Sequence, residues 1–140
     1  MKKLLTLLFS LLISFNSYGE WEEVVESVDG DTFYIDKDTI KKHEGYVYWW
    51  EMGSYINPGN PYEELFDDNE FNGTISSKHY RKGDCDVVRY KELSVTYYKQ
   101  KMGDGDGKDD PFITVSDSWE YPPPDTVNGF ILKYVCDYVD

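Results

Sequence analysis

Cys85 and Cys136 are the only two thiols in this 140-residue chain, and their chemistry depends on the compartment. A redox or metal pair would need CxxC spacing or clustered histidines, and the chain has neither. In an oxidising compartment an even pair with no such company forms a disulfide. A closed loop of about 50 residues would then stabilise the fold by roughly 4 kcal/mol.

The other reactive side chains argue against catalysis. Asp104, Asp106, Asp109 and Asp110 offer oxygen ligands in a short glycine-rich span. A calcium loop starting at Asp104 would place Lys108 at the fifth position and Asp109 where glycine is required, so no metal site is expected. His43 and His79 lie in a turn and on a strand, without a poised nucleophile, and read as surface imidazoles. With so many carboxylates, no acid/base pair stands out. No catalytic residue, cofactor or metal is assigned.

Two clusters could bind rather than react. Lys78-His79-Tyr80-Arg81-Lys82 is the most basic stretch of an acidic chain. It suits either docking of an anionic partner or an edge strand guarded by lysines; on residues alone the edge reading is preferred. The Trp49-Trp50 pair provides an aromatic surface that a small ligand such as haem or a peptide could use.

Residues 1–19 supply the compartment. Lys2 and Lys3 precede an apolar run from Leu4 to Ile13, with small Ser17 and Gly19 before Glu20. This is the pattern of a secretory signal peptide cut after Gly19, leaving 20–140 as one domain. No cysteine stands at the cut to carry a lipid, so no stable membrane anchor is expected after cleavage. The formal charge of −13 becomes two units more negative without Lys2 and Lys3, which disfavours nucleic acid. An aromatic content of 17% argues for a folded domain.

The elements that must position these groups follow from alternation. Trp21–Val28 and Thr32–Ile35 form a hairpin around Asp29-Gly30-Asp31, and 36–40 forms a short turn or one helical turn. Tyr46–Tyr55 is the strongest strand, apolar on both faces. A loop is expected over 57–73, with a helical turn at Glu63–Phe66 and a sequon at Asn72-Gly73-Thr74. Ile75–Lys82 and Asp86–Gln100 read as strands joined through Gly83-Asp84, with a bulge near Lys91 where apolar parity slips. Phe112–Trp119 is expected to return as a strand. After Pro122-Pro123-Pro124, a helix capped by Asp125 or Thr126 would pack Phe130, Ile131 and Tyr134 on the sheet.

This order of features resembles the bacterial surface-adhesin protein E family over nearly all of 20–140. Its marks are Trp21 after the leader, Phe33-Tyr34-Ile35-Asp36, and the aromatic strand around Trp50. Next come Ser77–Lys82 running into Asp84-Cys85, the strand through Tyr97-Tyr98, Met102-Gly103-Asp104-Gly105, Trp119, and a helix carrying Val135-Cys136. The resemblance implies an antiparallel sheet with a C-terminal helix bonded through Cys85–Cys136. It further implies a capacity to dimerise and a non-enzymatic role. Family adhesins bind host matrix proteins, and their basic segment before the first cysteine corresponds in position to Lys78–Lys82.

The expected fold is α+β: one antiparallel sheet of about six strands with a C-terminal helix on one face. The expected function is a periplasmic, secreted or cell-surface binding module for a protein or other macromolecule. Lys78, Tyr80, Arg81 and Lys82 are its candidate contacts. The alternative is a small-ligand carrier built on Trp49 and Trp50.

Overall fold

The computed structural model describes residues 21–62, 70–113 and 117–140. The leader and the expected helical turn at Glu63–Phe66 lie outside them in whole or in large part.

Seven strands form one antiparallel sheet: β1 (Trp21–Glu26), β2 (Thr32–Asp36), β3 (Lys41–His43), β4 (Tyr46–Gly59), β5 (Thr74–Asp84), β6 (Arg89–Tyr98) and β7 (Lys108–Asp109). Their order is β1-β2-β4-β5-β6-β7, with β3 also on β4. Among the described residues one α-helix, α1 (Val127–Val139), follows the sheet.

β4 is the axis of the sheet because its alternating Tyr, Val and Trp side chains suit a pleated surface covered on both sides. β5 pairs along one edge of it, while β2 and β3 share the other. Between those two, the Trp50 amide faces no strand. It donates instead to the Thr39 hydroxyl at 3.0 Å, on a 3-10 turn over Lys37–Thr39. The expected helical turn at 36–40 is therefore a bridge that completes the β4 ladder.

Several boundaries moved. His43-Glu44-Gly45 is part of a tight hairpin, with positive φ at Glu44 (51°) and Gly45 (86°), so a short β3 precedes β4. β5 continues through Gly83 and Asp84, and the turn falls at 85–88. The bulge lies at Leu93, where the β5–β6 register shifts. Of the strand expected over Phe112–Trp119, residues 114–116 lie outside the described residues; 112–113 and 117–119 carry no strand, and Lys108–Asp109 pairs with β6. Asp110 explains part of this, since it accepts the Phe112 amide and turns the chain away. Asp109 meanwhile accepts the Thr96 hydroxyl.

α1 begins at Thr126, whose hydroxyl accepts the Gly129 amide at 3.1 Å. Ile131, Leu132 and Val135 are buried against Ile35, Ile40, Val47, Trp49 and Tyr90. Tyr134 packs at the margin of this core, but Phe130 is exposed, contrary to the sequence reading. The helix rotates toward its Ile131–Leu132–Val135 side because the sheet beneath offers a hollow at Gly83. A Cβ there would lie 2.9 Å from both Leu132 and Trp49. Gly129 is explained the same way, since a Cβ would strike the Pro123 carbonyl. Cys85 and Cys136 are bonded, with Cα atoms 5.8 Å apart, tying the end of α1 to the β5–β6 turn.

Leu132→Ala should lower stability by about 2–5 kcal/mol, whereas Phe130→Ala should change it by about 0.5 kcal/mol or less. Urea melts of both variants check the helix rotation. In the β5–β6 turn, Val88 holds φ at +58° although β-branched and exposed. Val88→Gly should raise stability by roughly 1 kcal/mol, read by the same melts.

Candidate functional site

Alternation along β5 separates the basic stretch into two sets. Gly83 and Arg81 face α1, so Lys78, Tyr80 and Lys82 point to the opposite face, which the turn at Lys101–Gly103 covers beside Lys78 and leaves open toward Lys82.

Arg81 therefore is not a surface contact. It is 6% exposed, and its guanidinium donates to Glu51 at 2.7 Å, to Glu92 through both Nε (2.7 Å) and Nη2, and to Asn128 of α1 at 2.9 Å. The same group lies 4.7 Å from the Tyr90 ring centroid. Burial works to discharge Arg81, but Glu51 and Glu92 overcome it and raise its pKa. Burial likewise pushes Glu92 up. The His79 hydrogen bond and the Arg81 charge outweigh it and bring the carboxyl down to about 2.

Trp49 is also core. It is 1% exposed, and its indole N–H donates to Glu51 at 3.0 Å. The Trp49-Trp50 pair is thus split between the two faces, and only Trp50 remains available on the open side.

His79 is not a surface imidazole. Its Nε2 lies 2.8 Å from Ser77 Oγ and its Nδ1 lies 3.1 Å from Glu92, while Tyr55 bonds Ser77 at 2.5 Å. Serine, histidine and glutamate here stand in the order used by hydrolases. Ser77 has no exposed surface, however, and Glu92 is held by Arg81, so no substrate carbonyl can approach the hydroxyl. The chain serves to satisfy buried polar groups between strands.

The open face is different in kind. Trp50 stacks on Tyr80 with centroids 5.0 Å apart, and Tyr48 lies 6.2 Å from Tyr80. Lys78 sits 5.2 Å from the Tyr98 ring centroid. Lys82 sits 4.1 Å from that of Tyr46. Trp119, which the sequence reading did not assign to a site, stacks on Tyr46 at 5.8 Å. Paired backbone bonds between Tyr90 and Glu120 pin it there. Three cations approach its indole: Arg89 at 4.1 Å, Lys91 at 4.7 Å and Lys82 at 5.9 Å. The i, i+2 spacing of Arg89 and Lys91 was visible in the sequence; the long-range return of Trp119 was not.

A family profile described as surface-adhesin protein E matches residues 21–137. The chain belongs to the surface-adhesin protein E family. Among solved structures it is similar to crystal form II of Haemophilus influenzae protein E. That match has a TM-score of 0.64 at 14% identity, covering 89% of this chain and 94% of the other. A second structure of Haemophilus influenzae protein E gives 0.61 at 15% identity, covering 87% of each chain. Protein E from non-typeable Haemophilus influenzae gives 0.52 at 14%, covering 89% and 80%. These matches support the fold. No curated protein sequence matches the chain. Family membership makes this an adhesin-like binding module and points to a surface or secreted setting. No helix among the described residues is long and apolar enough to cross a membrane.

Arg81→Ala should destabilise by about 3–5 kcal/mol, because it strands two carboxylates under α1. Adding Glu51→Gln and Glu92→Gln should recover part of that loss. Since the Glu92 carboxyl titrates in the fold at about 2, below its ordinary 4.5, its contribution is complete above pH 4.5. That contribution fades as pH falls from there toward 2, by roughly 3 kcal/mol in all. Urea midpoints of wild type and Glu92→Gln across that range should converge at the acid end.

Proposed function

We propose that this protein is a non-catalytic, exported adhesin-type module that contacts a macromolecular partner through the open face of its sheet. The observation that carries this reading is the outward row Lys78, Tyr80 and Lys82 on β5, cationic in a chain of net charge −13. Such a row would steer an anionic region of a partner, while the neighbouring rings of Trp50 and Tyr48 would supply contact area. Arg81 stays out of the contact and keeps the helix seated.

The small-ligand reading loses Trp49 to the core, and its remaining support is the stacked Trp50–Tyr80 pair. It would show as a spectral change on adding haem that is lost in Trp50→Ala.

The test replaces Lys78 and Lys82 with Ser in the mature protein and measures its retention on immobilised matrix-protein and envelope extracts. Retention should fall at least about fivefold, and the remainder should weaken with salt, while the melting temperature stays within a few degrees. The edge-strand reading of the basic stretch does not hold, because β5 is paired with β4 on one side and β6 on the other and its lysines guard no edge. Unchanged retention would reduce Lys78 and Lys82 to packing against their neighbouring rings.

A further inference from the structure

Lys82 and Lys91 face each other directly across β5 and β6, where like charges repel. Among the described residues neither is neutralised by a buried acid. Lys91 bonds Asp117 at 2.8 Å, but that carboxylate is 89% exposed. Among the described residues Lys82 has no ion pair and rests against rings alone. Arg89, the third cation at Trp119, is bound to Asp84 at 3.0 Å. Backbone amides of Asp86 and Val87 also donate to Asp84, so its negative charge is already shared.

This repulsive lysine pair lies on a protein of net charge −13. Asp117, held to Lys91 by one exposed bond, shows where an outside carboxylate would sit, and displacing it costs little. Beyond it runs a track of Tyr46, Tyr48, Tyr80 and Trp50. Trp50 stacks on Tyr80, Tyr48 tilts against the same ring, and the tyrosines add hydroxyl donors.

We propose that this face binds an acidic polysaccharide, with a sugar carboxylate seated among Lys82, Lys91 and Arg89 beside Trp119. The proposal rests on the open face being the contact surface and names its partner chemistry. A polyuronate supplies repeating carboxylates for the cations and hydroxyls for the tyrosine row. Its sugar rings carry C–H groups that can lie against aromatic surface. An acidic peptide fits less well. The backbone of this face is already paired within the sheet, and Met52, which follows Trp50 along this face of β4, is buried.

Calorimetric titration of the mature protein with an oligogalacturonate tests this, beside a neutral galactan and a poly-glutamate of matched charge. The oligogalacturonate should bind and the galactan should not. Lys82→Ser and Trp119→Ala should each weaken binding about tenfold. Lys133→Ser, which removes an exposed cation from α1, should change nothing. Asp117→Asn should strengthen binding about threefold by removing the internal competitor, an effect that simple loss of structure would not produce. Circular dichroism of each variant establishes that it is folded. Absence of oligogalacturonate binding would overturn the proposal, as would wild-type affinity in Lys82→Ser. Equal binding of poly-glutamate, lost in Lys82→Ser, would also overturn it and assign the face to an acidic peptide. The contact-surface reading would stand in that case. It fails separately, through unchanged retention of the Lys78/Lys82 double variant on the extracts.

Discussion

The guanidinium of Arg81 stands where the sheet, the helix and the core all meet. It is desolvated, and it persists because carboxylates from β4 and β6 and an amide oxygen from α1 converge on it. A buried ion pair of this type adds little stability over a well-packed apolar cluster, but breaking it is costly. Its value is therefore specificity of arrangement. Asn128 meets Arg81 only when α1 lies in one rotation, and Glu51 meets it only in one β4–β5 register. The Ser77–His79–Glu92 chain continues that constraint along the same face. Trp49 joins it through its bond to Glu51.

Committing one face to helix and ion network leaves the other to the aromatic and cationic side chains. β4 carries rings on both faces, Tyr46, Tyr48 and Trp50 on one and Trp49 on the other, so both faces need cover. The inner rings gain it from α1, and the outer ones from each other and from the lysine stems. The disulfide closes the far end by holding α1 to the β5–β6 turn. The outer face thus sits on a braced support.

Much of the fold was legible because its signals are local. The helical stripe from Val127 to Val135, the Thr126 cap, the alternation of β4 and the two cysteines needed no tertiary knowledge. Phe130 was misplaced because an apolar stripe defines a face only to within about one residue's rotation. The missing correction was Gly83, a hollow on another element. The strand expected over Phe112–Trp119 does not start at Phe112 for a related reason: β propensity there competes with Asp110, which accepts the Phe112 amide and bends the chain.

The sequence by itself determined the family pattern, the antiparallel strands, the C-terminal helix and an unusual basic segment within an acidic chain. It even contained the period of two that divides Arg81 from Lys78 and Lys82. Only the tertiary structure decided which half of that division faces solvent, since α1 had to choose a side. It also brought Trp119 to Lys82 and Lys91, and Glu51 and Glu92 to Arg81. The physical reason is range. Alternation and capping are set by neighbouring residues, whereas a buried charge or a cluster of cations exists only when distant strands are already paired.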